Sequence, residues 1–390
     1  MSKYLAHVSP LLSVFALGCG GETPQMVPPP APTYLAVTAT DYVSGTLSLL
    51  DPETLMVQKA IDQVDPSSVA RAFGTKLYLL DSSHGSLRVY DSVDSFKTPK
   101  DSPLSKTGVV DGTQANPHDI YVDSQRGRAF VTLYGSFGST QVKSGQALAV
   151  LDLTKLGSGI SSFVPLTVGA SDTDANPDAS QLLACGDNLY VLLQDLDRNS
   201  GYKPAGSGRI AKLSLSNPTT VSYIQLAGEN PTAMAIYSGC DEAVVGSAGD
   251  QLGGTLSGKS GIERVDLKNG KSLGLALTDS MLGGNVSTLD ATDAQHVFAD
   301  VSVKSGSSYN NTVFAVDTMA KTKGVAVLGP MSYVPSVAVL GSRLVVLSGG
   351  KANAGQLRPG LYLGAATGTP LPSEPFDFAL PPSSVALVSR

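Results

Sequence analysis

Two short segments carry the densest oxygen chemistry in the chain. Asp172-Thr-Asp174-Ala-Asn176-Pro-Asp178 sets four oxygen side chains at alternate positions, and Asp195-Leu-Asp197-Arg-Asn199-Ser-Gly201 repeats the spacing twenty-odd residues later. Calcium takes six to eight oxygens, and alternating acids in a turn can converge them, so Asp172, Asp174, Asn176, Asp178, Asp195, Asp197 and Asn199 form a candidate Ca2+ site. Neither segment has the glycine or the distant glutamate of a full EF-hand loop, and solvated Asx turns account for the same spacing. A second polar set is His84, His118 and Asp119, with Asp81 and Asp123 nearby in sequence. Two imidazoles beside carboxylates can hold zinc or act as acid and base, although the set lacks zinc-ligand spacing. No nucleophile elbow, zinc-protease helix or phosphate loop occurs.

The elements that must position these residues follow from an internal repeat. A Pro-led segment recurs as Asp65-Pro66-Ser67, Asn116-Pro117-His118, Asn176-Pro177-Asp178, Asn230-Pro231-Thr232, Val334-Pro335-Ser336 and Pro381-Pro382-Ser383. A weaker copy, Asn285-Val286-Ser287, makes seven, spaced 47 to 60 residues apart. After each copy except the last comes an apolar strand such as Lys76-Leu77-Tyr78-Leu79-Leu80, then a loop, then an alternating strand that often ends in Asp, such as Leu87 to Asp91. Alternation at period two describes half-buried antiparallel strands, and a period near fifty describes propeller blades. Residues 34 to 61 supply three strands without the opening Pro segment, and residues 381 to 390 supply that segment with nothing after it. The C-terminal strand, Ser384 to Val388, is therefore expected to complete the first blade and remove the open edges.

The expected fold is all-β: a seven-bladed propeller of four-stranded antiparallel blades over residues 34–390. Its Pro-led strand, apolar strand and strand ending in Val-Asp resemble the YVTN-type repeat family of propellers, a resemblance that implies the fold and leaves the function open. The loops between second and third strands share one face with the connections between blades. They are short in the first two blades (Thr40 to Gly45, Asp81 to Ser86) and longer afterwards (Tyr134 to Gln146, Gln194 to Gly208, Ser247 to Gly261, Ser302 to Asn311, Ser348 to Gly360). Long loops gathered on one side of a rigid ring are where binding usually resides.

Ahead of the propeller, an apolar run from Val8 to Leu17 has the length of a signal-peptide core and about half that of a membrane span. It ends Ala16-Leu17-Gly18-Cys19, which resembles the lipobox of bacterial lipoproteins. That resemblance implies a signal peptide over 1–18, a lipidated Cys19, and a Pro-rich tether over 19–33 reaching some 40 Å at about 3.1 Å per residue. Gly20 after the Cys implies passage to the outer membrane. Cys185 and Cys240 fall at matching turns of adjacent blades and can pair in an oxidising compartment, though equivalent points on neighbouring blades are expected to sit about 7 Å or more apart. The sequence leaves open whether they are bonded.

Of 390 residues, 42% are hydrophobic and 15% charged, with 27 Lys and Arg against 33 Asp and Glu and no basic run, so nucleic acid is not an expected partner. The absence of Trp removes the blade signatures of WD-repeat and quinoprotein propellers. The expectation is an envelope protein held to the membrane through its lipid anchor, binding an envelope protein or small ligand through the loop face of blades three to seven. The competing expectation is an enzyme, a metal-assisted hydrolase or lactonase with its site over the central channel.

Overall fold

The computed structural model describes residues 33–96, 99–104, 116–134, 145–174, 176–237, 239–251 and 254–390. The signal peptide, Cys19 and nearly all of the tether lie outside these residues, as does most of the third-blade loop from Tyr134 to Gln146. Among the described residues no helix is long and apolar enough to cross a membrane.

Seven antiparallel sheets make the blades of a propeller ring. From the inside outward, blade 1 runs Pro382–Ser389, Thr33–Thr40, Gly45–Leu50, Val57–Val64, and blade 2 runs Val69–Phe73, Lys76–Asp81, Ser86–Tyr90, Lys100–Pro103. Blade 3 is Pro117–Asp123, Arg128–Leu133, Leu148–Asp152, Ile160–Val164, and blade 4 is Ala179–Cys185, Asn188–Leu193, Ser207–Ser214, Val221–Glu229. Blade 5 is Pro231–Ile236, Glu242–Ser247, Gly261–Asp266, Lys271–Thr278, and blade 6 is Asn285–Ala291, His296–Ser305, Ser308–Asp317, Thr322–Met331. Blade 7 ladders three strands, Tyr333–Leu340, Arg343–Gly349 and Gly360–Ala365. Its fourth place is taken by a segment touching Leu361 through one bridge at Phe376. Pro370, Pro372 and Pro375 remove ladder donors there, which is why a full strand does not form.

Burial follows position in the blade. Second strands are covered on both faces by neighbouring blades, so Leu77, Leu79, Leu80, Phe130, Val131, Leu192 and Val245 are all buried. Outer strands face solvent: Val57–Val64 is mostly exposed or half-buried and carries Lys59, Asp62 and Gln63, polar residues that protect an unpaired edge.

The Pro slot has a structural meaning beyond the repeat. Ladder register shifts between Pro117 and Asp119, Pro231 and Ala233, and Val286 and Thr288, so the slot is a β-bulge at the entrance of the inner strand. Asn116 and Asn230 just before it have φ of 43° and 53°, a left-handed conformation that Asn tolerates better than most residues. Below the bulge, side chains of one inner strand accept backbone N–H groups of the next. Ser384 Oγ takes Ala70 N (2.9 Å), Asp119 Oδ2 takes Leu182 N (2.8 Å), Gln181 Oε1 takes Met234 N (2.6 Å) and Asp290 Oδ2 takes Val339 N (2.7 Å). These bonds stitch four of the blade seams and hold the ring as a rigid platform for its loops.

One loop expectation is corrected. Ser302 to Asn311 is no loop: the second and third strands of blade 6 continue as a regular hairpin, pairing without interruption from His296↔Asp317 to Ser305↔Ser308. Alternation through Val301 and Val303 favours continued pairing over a turn.

Candidate functional site on the loop face

In blade 4 the two acidic segments meet. Asp172 and Asp174 stand in the connection entering the blade, and Asp197 stands in the loop between its second and third strands. Their carboxylate oxygens lie within 4.8 Å of one another. Thr173 Oγ1 donates to Asp197 Oδ1 across the two segments (2.9 Å). The other four expected ligands are engaged elsewhere. Arg198 donates to Asp178 Oδ1 (2.6 Å) with both side chains almost fully buried, and Arg209 grips Asp195 through two nitrogens at 2.6 and 2.7 Å. Asn176 donates its amide to Tyr134 O (2.6 Å), and Asn199 donates to Thr173.

The physical reason for this division is neutralisation: a buried carboxylate needs a paired charge, and the guanidinium groups supply it at short range. Arg198 also lies over the rings of Tyr134 and Tyr202 at 5.6 and 5.5 Å, which fixes its plane. Asp174 gives one oxygen to Asn176 N and the other to Arg198 N, so it acts as a turn anchor. Asp172 is pushed up to about 6 by burial and by the charges of Asp174, Asp195 and Asp197, and one of its oxygens is buried without a hydrogen-bond partner. What the sequence presents as a seven-ligand set is thus a braced double loop with three converging carboxylates. Three carboxylates can share a hard cation, but calcium would need backbone carbonyls and water for its remaining ligands.

The second polar set also separates. Asp119 is buried, its Oδ1 2.7 Å from Arg71 Nε and its Oδ2 on Leu182 N, so it works as a clasp between blades. His118 stacks on Tyr134 with ring centroids 4.9 Å apart, and desolvation by the surrounding protein lowers its basicity. Asp123 ends the inner strand on the opposite face, where it pairs with Arg126 and Arg128. No hydrogen bond joins His84 to His118 among the described residues. His84 instead meets Asp65 Oδ2 at 2.9 Å and Asp81 Oδ2 at 3.1 Å. Asp81 and Asp65 raise its basicity, in that order. Burial lifts Asp81 above the usual carboxylate range; burial opposes, but the Ser67 and Ser83 hydroxyls and His84 outweigh it and hold Asp65 below that range. Asp65 escapes sequence reasoning because it occupies the repeat slot before Pro66 and reads there as a turn former.

Between blades 7, 1 and 2 the loop face opens into a recess of about 290 Å³, lined in part by Tyr42, Pro66, Ser67, Tyr333, Pro335 and Pro382. Short loops in blades 1 and 2 leave it accessible. Large apolar side chains stand exposed around it and along the same face: Tyr42 (71%) and Val43 (86%) in blade 1, Leu256 in blade 5, Met281 in the helical turn Asp279–Leu282 leading to blade 6, Val303 in the blade 6 hairpin and Tyr333 in blade 7.

On the opposite face, where strands one and two and strands three and four are joined by tight turns, Cys185 and Cys240 form a disulfide with Cα atoms 5.6 Å apart. The separation is shorter than the expected distance of about 7 Å or more and falls within the range a disulfide spans; Cys240 adopts a left-handed conformation, φ 60°, in the turn of blade 5.

No family model and no curated protein matches the chain by sequence. Solved structures do resemble it. A functionally unknown protein from Desulfotomaculum acetoxidans is 13% identical with a TM-score of 0.54, the match covering 91% of this chain and 99% of that one. Apo AztD from Citrobacter koseri is 13% identical with a TM-score of 0.47, covering 92% and 98%. A luciferin-regenerating enzyme is 15% identical with a TM-score of 0.45, covering 72% and 82%. At such identities the likeness to the Desulfotomaculum protein shows the propeller fold alone.

Proposed function

We propose that the chain is a lipid-anchored, extracytoplasmic propeller that docks a partner protein of the cell envelope on its loop face. The observation that carries this reading is the row of exposed apolar side chains, Leu256, Met281, Val303, Tyr333, Tyr42 and Val43, running over blades 5, 6, 7 and 1. Water-exposed apolar surface is what a protein interface uses; Leu55, Met56 and Met319 are exposed on the turn face too, but the loop-face row adjoins the recess between blades 7, 1 and 2. The row starts later and runs one blade further than the loop lengths alone suggest, because the short first-blade loop carries Tyr42 and Val43. The disulfide supports an oxidising compartment. The lipobox-like Ala16-Leu17-Gly18-Cys19 supports an anchor, and Gly20 supports the outer membrane.

The test joins both halves. Envelope fractionation of cells carrying the wild-type chain or Cys19→Ser should find the first in membranes and the second released. A pull-down with the released chain should retain a partner that the Val43→Ser, Val303→Ser, Tyr333→Ser variant loses. A membrane-bound Cys19→Ser chain would refute the anchor, and an unchanged pull-down would refute the loop-face interface.

A further inference from the structure

We propose that Asp65 Oδ2, Asp81 Oδ2 and His84 Nδ1 form a three-ligand site for a first-row divalent cation of the zinc class. The site goes beyond the docking reading and does not depend on it. Its three ligand atoms come from three different places in the fold: the connection into blade 2, the end of its second strand, and the turn that follows.

The three ligand atoms are close enough to share one ion. His84 Nδ1 lies 2.9 Å from Asp65 Oδ2 and 3.1 Å from Asp81 Oδ2, and the three ligand atoms all lie within 4.8 Å of one another. Ligands about 2.0–2.1 Å from a metal stand roughly 3.0–3.4 Å apart along the edges of an octahedron or tetrahedron. In each carboxylate the other oxygen is already committed to backbone. Ser67 N donates to Asp65 Oδ1 (2.8 Å), with the Ser67 hydroxyl on the same oxygen, and His84 N donates to Asp81 Oδ1 (2.8 Å). Outer-shell bonds of this kind orient ligands before an ion arrives. Ser83 N in turn donates to Ser67 Oγ (3.0 Å), tying the turn that carries His84 to the segment that carries Asp65.

The donor set selects the ion. One imidazole nitrogen with two carboxylate oxygens suits zinc and its neighbours, whereas calcium and magnesium want oxygen alone. Two carboxylates also balance the charge of a dication. The side chain of Asp65 is only 4% exposed and that of His84 is 73% exposed, so the site has a fixed floor and a lid open to solvent. Ser67 and Ser83 brace the ligands and line the neighbouring recess, from which a fourth ligand can reach the ion. The three carboxylates of blade 4 differ: they offer no nitrogen, and the two oxygens of Asp174 are held by backbone N–H groups.

Zinc titration of the chelator-stripped protein by calorimetry, with Co2+ added in parallel to read its visible ligand-field bands, tests the assignment. The wild type should bind one tight equivalent and give the Co2+ bands of a nitrogen and oxygen site. His84→Ala, at an exposed turn where folding is not at risk, should weaken zinc by at least about 100-fold and abolish those bands. Asp197→Asn should change neither. Absence of zinc binding in the wild type, equal binding in His84→Ala, or loss in Asp197→Asn alone would each overturn the proposal.

Discussion

The hydroxyl of Ser384 lies 2.7 Å from that of Thr38, across the seam where the last strand of the chain pairs with the first. Ser384 Oγ accepts Ala70 N, and Thr38 Oγ1 donates to Ser68 O, so the single proton of each hydroxyl is accounted for: Ser384 gives its own to Thr38. The relay joins both strands of the closure to the inner strand of blade 2. Around it Leu35 faces Leu387 and Val37 faces Val385 in register.

Closure should therefore control the cooperativity of the whole ring. Ser384→Ala leaves buried partners unsatisfied and should cost about 1–3 kcal/mol in urea unfolding. Deleting residues 382–390 exposes the edges of blade 1 and should replace one sharp transition with a broad one. A truncated chain that unfolds as sharply as the full one would contradict this role.

Arg198 should be a structural keystone of blade 4. Removing a guanidinium from a buried pair strands the carboxylates it neutralises, at a cost of about 3–5 kcal/mol. Arg198→Ala should thus be severely destabilised by thermal denaturation. Adding Asp178→Asn to it should recover part of the loss, because the stranded charge is gone. Failure of the second substitution to help would place the cost in ring packing against Tyr134 and Tyr202.

Stability should depend on pH through Asp300. Its side chain is fully buried in the second strand of blade 6, bonded to Ser287 with its other oxygen unpartnered, and burial pushes it up to about 8 from 3.8. Between those values the folded chain keeps a proton that the unfolded chain has released. Stability from this group is therefore lost as pH rises from about 4 to about 8, and is level above. Asp300→Asn cannot ionise, so its stability relative to wild type should climb across that window by well over 1 kcal/mol. Asp172, Asp178 and Asp290 are raised in the same direction, and they cancel in the comparison. A difference independent of pH, read from urea midpoints at pH 5 to 9, would contradict a buried neutral Asp300.

The Cys185–Cys240 bond spans 55 residues, and constraining a loop of that length in the unfolded chain stabilises by up to about 4 kcal/mol. Reductant should lower the melting temperature of the wild type and leave that of the Cys185→Ser, Cys240→Ser variant unchanged. Equal sensitivity of the two would mean the bond contributes nothing.

The sequence carries the blade count and the closure because both depend on local chemistry repeated at a fixed spacing. A Pro at the entrance of an inner strand and the apolar run that follows recur from blade to blade, so Pro117 and Pro231 mark the same bulge, while Pro66 precedes an inner strand that pairs without one. Long-range side-chain pairing is harder to read, since Arg71 with Asp119 joins neighbouring blades and Arg198 with Asp178 and His84 with Asp65 join separate segments of one blade, not neighbouring positions. Alternate acids in blade 4 look like ligands until the arginines that satisfy them are placed. Blade 7 lacks a laddered outer strand, and its prolines signal as much, yet a repeat search assigns it one by analogy. The blade 6 hairpin reads as a loop because Ser305-Gly306-Ser307-Ser308 resembles one, while pairing on both sides extends to its tip.

Which face of the ring meets a partner is the central question, and site-specific photocrosslinking in intact cells addresses it directly. A photoreactive residue at Val43, Val303 or Leu256 on the loop face should yield the same crosslinked partner, whereas one at Leu55, Met56 or Met319 on the turn face should yield none. Crosslinks to a shared partner from the turn face, with the loop-face positions silent, would contradict the account.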